Sequence, residues 1–109
     1  MANTFKLKTK ANVGVTTVGI YTAPAATTTV VIGITMANTS GSGVNVGVGI
    51  TRAGTTEDVK LLKNAPIPQG SSLEFMAGNK ILLEATDTVT VDSDTNNSVD
   101  AALTIMEIT

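Results

Sequence analysis

The side chains in this sequence that can carry chemistry are mostly carboxylates and amide oxygens. Asp92, Asp94 and Asn96 alternate in Asp92-Ser93-Asp94-Thr95-Asn96, with Asp100 close behind, and a calcium-binding loop begins in this way. Such a loop continues with glycine at its sixth position, for the sharp wrap, and a bidentate glutamate at its twelfth. Those positions hold Asn97 and Leu103. The segment is therefore read as an Asp/Asn-rich turn whose side chains cap the backbone, and no metal or other cofactor is expected. Glu57, Asp58 and Asp87 are the carboxylates that glycoside chemistry would pair, but no spacing brings them together and no aromatic residues accompany them to line a sugar subsite. Ser71 and Ser72 have no histidine to activate them. Gly41, Gly43, Gly47 and Gly49 lack the Lys-Ser/Thr that follows in a phosphate-binding loop. With no His, Cys or Trp at all, the chain has no common general base, thiol nucleophile or thiolate metal ligand. It is expected not to be an enzyme.

The elements that would position these residues read as strands. The chain has 109 residues, the length of one domain, and its 42% hydrophobic and 15% charged content is globular. Nineteen Thr, 12 Val and 8 Ile weight it towards β-branched side chains, which suit a pleated surface. Period-2 segments recur at 5–9, 15–22, 28–38, 44–51, 59–64, 72–76, 81–85, 89–92 and 99–108, separated by Gly, Pro, Asn, Ser or Asp. Eight or nine short strands at this spacing predict an all-β fold over residues 1–109: a single antiparallel β-sandwich, jelly-roll-like. The stretch Thr39-Ser40-Gly41-Ser42-Gly43 predicts a hairpin loop that pairs its flanking strands antiparallel. The segments Ala23-Pro24-Ala25-Ala26 and Ala65-Pro66-Ile67-Pro68-Gln69-Gly70 predict loops or crossings between sheets, because Pro cannot donate to a ladder. Residues 57–62 fit a strand as well as a turn of helix and are read as strand.

Two strands draw attention as contact surfaces. Between Val44 and Thr51, Val44, Val46, Val48 and Ile50 alternate with Asn45, Gly47, Gly49 and Thr51, leaving one face nearly bare. Another backbone or another subunit can approach closely over Gly47 and Gly49. In the N-terminal segment Phe5 and Leu7 alternate with Lys6, Lys8 and Lys10, which predicts a strand with a solvated lysine face opposite an apolar one. Residues 1–10 either dock in their own sheet or swing out as an arm exchanged between subunits. Phe5, Leu7, Gly47 and Gly49 are thus the candidate oligomer contacts. Few charges or prolines within strands predict open edges and a homo-oligomer, a trimer favoured. A net charge of −2 gives no field that would gather nucleic acid, and no apolar run approaches the ~20 residues of a membrane helix. Neither nucleic acid nor membrane is an expected partner.

Three longer phrases carry a resemblance: Tyr21 to Gly33, Ala65 to Phe75, and the ending Ser98-Val99-Asp100-Ala101-Ala102-Leu103-Thr104-Ile105-Met106-Glu107-Ile108-Thr109. They resemble small virion structural proteins of tailed bacteriophages, especially those infecting cyanobacteria. The resemblance implies a non-enzymatic, β-rich particle component located in the virion, synthesised in the host cytoplasm, and bound to itself and to other virion proteins such as the major capsid protein. Within that class, the expected role is capsid decoration, as a cement protein of the head. Tail, neck, baseplate or fibre-associated placement is the alternative. A small receptor- or carbohydrate-binding module is a different class, disfavoured because aromatic residues are 3% of the chain and Tyr21 is its single tyrosine.

Overall fold

The segment Val99–Ile108 shows how alternation in the sequence becomes structure. Val99, Ala101, Leu103, Ile105 and Glu107 turn to one side and are buried, while the residues between them face the other side and stay at least partly exposed. The computed structural model describes residues 3–54, 57–75 and 80–109. Over these the chain forms nine strands: β1 (Asn3–Val13), β2 (Val18–Thr22), β3 (Thr28–Asn38), β4 (Val44–Arg52), β5 (Glu57–Ile67), β6 (Ser72–Phe75), β7 (Ile81–Leu83), β8 (Thr88–Ser93) and β9 (Val99–Ile108). The strand expected over 72–76 ends at Phe75; Met76 lies outside the described residues.

The strands make two antiparallel sheets. Sheet A has the order β1-β9-β3-β6, with β7 also paired to β3, and sheet B has the order β2-β8-β4-β5. The pairing is nested: β1 with β9, β2 with β8, β3 with β6 and β7, β4 with β5. A long hairpin nested in this way, with successive pairs alternating between the sheets, is a jelly roll in which β6 and β7 share one of eight strand places. Val31, Ile34 and Met36 from β3, Val46 and Val48 from β4, and Leu103 and Ile105 from β9 fill one core between the sheets. Each such burial is worth about 1.5–3 kcal/mol relative to exposure.

The nesting overturns one expectation. β3 and β4 do not pair with each other, because residues 39–43 carry the chain from sheet A across to sheet B. Glycine-rich composition signals a reversal, but the choice of partner strand follows from the core that β3 and β4 fill from opposite sides. Asn38 holds this crossing: its Nδ2 donates to Ser42 O at 2.8 Å and Ile67 O at 3.0 Å, and its Oδ1 accepts from Ser40 N at 2.9 Å. Pro66 is a second correction, since it lies inside β5 opposite Asn45 instead of in a loop. β5 is the edge of sheet B, where the missing donor is tolerated. β2 starts at Val18, three residues later than expected from the pattern beginning at Val15, because residues 14–17 cross between the sheets.

In β4 the bare face is used at close range by the chain itself. Register shifts on either side of Val48 bring carbonyls of β5 over the strand. A Cβ on Gly49 would stand 2.8 Å from Val59 O, and one on Gly47 would stand 3.3 Å from Leu62 O and 2.5 Å from Asp92 Oδ1. A backbone carbonyl cannot rotate away as a side chain can. Gly49→Ala is therefore expected to destabilise the fold by about 1–3 kcal/mol, the usual cost of overpacking. Gly41→Ala in the sheet-crossing loop, where an added Cβ meets nothing within 4 Å, should change stability by no more than about 0.5 kcal/mol. Urea unfolding of the two variants checks both; equal stabilities would show that β5 does not press on β4.

Candidate functional site

The acidic and amide residues of 92–100 singled out in the sequence accept from separate backbone or hydroxyl donors. Asp92 Oδ2 accepts from Thr17 Oγ1 at 2.9 Å, Asp94 Oδ1 from Asn45 N at 3.1 Å, Asn96 Oδ1 from Val15 N at 3.4 Å and Asp100 Oδ1 from Asn12 N at 3.0 Å. Together they lace one end of the sandwich. Asn12 itself is left-handed, with φ at 58°, where β1 slips register against β9. Asp87 is buried and holds Arg52 Nε at 3.1 Å and the backbone N of Glu84 at 3.0 Å, while Glu57 and Asp58 stand exposed at the start of β5. Ser71 serves through its backbone, accepting from Asn38 N at 2.9 Å, and Ser72 opens β6 opposite Ala37.

A second polar cluster escaped the sequence reading. Glu107 occupies the last inward place of β9, after Val99, Ala101, Leu103 and Ile105, and is only 7% exposed. Its Oε2 accepts from the Tyr21 hydroxyl at 2.6 Å, and its Oε1 pairs with Lys6 Nζ at 2.9 Å. Tyr21 OH also meets Thr29 Oγ1 at 2.9 Å. Strands β1, β9 and β3 of sheet A and β2 of sheet B thus meet on one carboxylate. The hydrogen bond from Tyr21, and then that from Lys6, hold the Glu107 carboxyl below the usual carboxylate range. Burial, with the adjoining carboxylate, pushes the Tyr21 phenol from 10.0 up to about 12. The signal was available: a glutamate in an otherwise apolar inward row is a charge that requires a partner.

The Lys6–Glu107 pair also fixes how β1 faces. Lys6 lies opposite Ile105, Lys8 opposite Leu103 and Lys10 opposite Ala101, and all three of these β9 residues are buried. Paired residues share a face, so the lysines stand on the inner side of sheet A and Phe5 and Leu7 on the outer side. The sequence reading placed lysines and apolar residues on opposite faces, as found, but took the lysine face to be the solvated outer one. β1 overhangs the sandwich as an edge strand, so its inward lysines still reach water.

On the outer side, Phe5 is 67% and Leu7 65% exposed. The register continues Phe5 into a row across four strands, through Met106 and Val30 to Leu82, itself 60% exposed. Beside it the small residues Thr9, Ala11, Thr35, Ala37 and Ala102, with Lys10 and Asp100, line a shallow groove of about 340 Å³. Among the described strand residues of this face, Glu74 and Asp100 are the charged ones. Gly47 and Gly49, in contrast, lie buried under β5 and the side chains of β8.

No family model and no curated protein sequence matches the chain, so its similarities are structural. It is similar to the Bacillus endospore appendage structure described as "a novel family of disulfide-linked pili", with a TM-score of 0.57 at 16% identity over 99% of this chain and 87% of that one. It is similar to a chain of the cyanophage Pam1 capsid asymmetric unit, with a TM-score of 0.56 at 16% identity over 95% of this chain and 85% of that one. A chain of infectious bursal disease virus Gx strain matches with a TM-score of 0.58 at 13% identity, over 95% of this chain and only 32% of that longer one. At these identities the shared property is the jelly-roll fold.

The Glu107 cluster sets a pH window with two limits. A carboxyl held low in the folded state stabilises at neutral pH, and that contribution is lost as pH falls below about 4.3 and through its folded value. A phenol held high stabilises up to pH 10.0 and loses that contribution as pH rises towards about 12. Tyr21→Phe should cost about 1–3 kcal/mol at pH 7, because Glu107 loses a donor, and should flatten the alkaline limb. Glu107→Gln should flatten the acid limb. Denaturant midpoints measured across pH check this; wild-type limbs retained in the variants would assign the titrations elsewhere.

Proposed function

We propose that the chain is a non-enzymatic structural component of a bacteriophage virion, with capsid decoration as its place in the particle. The observation that carries this reading is the nearly end-to-end structural match with a chain of the cyanophage capsid, over 95% of this chain and 85% of that one, where the bursal virus chain is matched over only 32%. The jelly roll here is therefore comparable to a whole small particle component, as decoration requires, and not only to one part of a large shell protein. The phage-like phrases at 21–33, 65–75 and 98–109 support the same reading. The pilus neighbour supports it less, since those appendages are disulfide-linked and this chain has no cysteine.

The polar groups fit a durable scaffold better than a reaction. Asp87, Asp92, Asp94 and Glu107 are each bound to groups of other strands or loops, an arrangement that fixes the fold. The carbohydrate-binding alternative is weakened further by Tyr21, which is buried against Glu107 and offers no ring face to a sugar. Tail, neck or baseplate placement differs from decoration in copy number. Quantitative mass spectrometry of particles purified from a phage that encodes this chain should find it at an abundance comparable to the main shell protein. Abundance far below that moves it to the tail or neck, and absence from the particles overturns a virion role.

A further inference from the structure

No described residue covers the outer face of sheet A, and its relief is uneven in a particular way. Large side chains, Phe5, Leu7 and Leu82 among them, stand at one end of the face, and the groove lined by Thr9, Ala11, Thr35, Ala37 and Ala102 lies at the other. Along β1 the change from knob to groove falls between Leu7 and Thr9. We propose that this face is the interface of a two-fold dimer, its occupant a second copy of this chain. A two-fold axis lying between two stacked sheets and running across their strands reverses the strand direction. Centred between Leu7 and Thr9, it lays β1 on β1 and sets Phe5 over the partner's Ala11 and Leu7 over the partner's Thr9. Each copy's knobs then enter the other's groove, the self-complementarity that an isologous interface requires.

Area and edges agree with this occupant. Four strands about 4.8 Å apart and about ten residues long at about 3.3 Å each give roughly 600 Å² per copy, roughly 1,200 Å² in total. That is the lower end of specific interfaces. The knob end carries no charge among the described strand residues; Lys10 and Asp100 both line the groove, Asp100 accepting from Asn12 N, and this two-fold sets the partner's Met106 over Asp100. Edge pairing is the competing route. β5 carries Lys60, Lys63, Pro66 and register shifts, β1 turns three lysines inward, and the remaining edges, β2 and β6 with β7, are short strands of 5, 4 and 3 residues. The trimer expected from open edges is for this reason not carried forward. The dimer is argued from the monomer's own geometry and stands apart from the virion reading.

Light scattering and sedimentation of the full chain, from low to high micromolar, should show a dimer or an even multiple of it. Leu7→Lys should halve that mass at equal concentration, with at least a tenfold weaker association. Leu7 is 65% exposed, so the fold should survive, as circular dichroism would verify. Ala102→Phe fills the groove without adding charge and should weaken association likewise. The chain has no cysteine, which makes single-cysteine variants clean probes. Phe5→Cys mixed with Ala11→Cys should be joined by a short bis-maleimide more readily than either variant with itself, since like positions lie roughly 20 Å apart along the strands. A monomer at every concentration, an odd oligomer, a mass insensitive to Leu7→Lys, or equal cross-linking of like and unlike pairs would overturn the dimer. None of these outcomes bears on whether the chain is found in particles.

Discussion

A single buried carboxylate decides how the N-terminal strand lies, and much of the surface follows from it. Glu107 closes an inward row of apolar residues on β9 and must be satisfied where it stands, by Tyr21 from β2 and Lys6 from β1. Lys6 is 43% exposed and Tyr21 donates independently, so losing the lysine would cost less than the roughly 3–5 kcal/mol of a fully buried pair. Turning β1 over would remove Lys6 from Glu107 and leave Tyr21 as its donor. The Lys6–Glu107 pair holds β1 with its lysines inward. Period-2 geometry converts it into a structural result: with Lys6 facing in, Phe5 and Leu7 face out.

Much of the strand content was legible because it depends on local alternation. Val44 to Ile50 and Val99 to Ile108 could be read residue by residue, and the structure keeps both as strands. Two sheets in a jelly-roll arrangement were also legible, from the number and spacing of the strands. Pairing was not. Residues 39–43 have the composition of a hairpin loop, yet β3 takes β9, β6 and β7 as partners and β4 takes β8 and β5. Those partners lie far along the chain, and they are chosen by which apolar rows complete one core, a condition no local window contains. Pro66 misled for a related reason: its missing donor excludes a central strand but not an edge, and edge position is a property of the whole sheet.

The candidate contact residues divide along the same line. Gly47 and Gly49 were legible as a place of close approach, and in the folded chain backbone carbonyls of β5 lie over them. That approach is intramolecular, and it shows why a glycine-bare face is weak evidence for a second subunit: in a sandwich this small, the nearest available backbone belongs to the chain itself. Phe5 and Leu7 have no such cover. Their row through Met106, Val30 and Leu82 was invisible in the sequence because its members come from four strands and are aligned only by register.

The same economy bears on how such a protein can associate without aggregating. A jelly roll leaves sheet edges, and unprotected edges pair with any strand offered to them. Here the charges that protect the edges also serve the interior, most directly Lys6, which both guards β1 and neutralises Glu107. With the edges closed to general pairing, association falls to the outer face of sheet A, where recognition depends on the shape of side chains and not on backbone hydrogen bonds. Backbone pairing is indifferent to sequence, whereas knobs and a groove admit few partners. A face of this kind suits a subunit that must find one place in an ordered assembly, and its orientation traces back to the glutamate at the end of the core row.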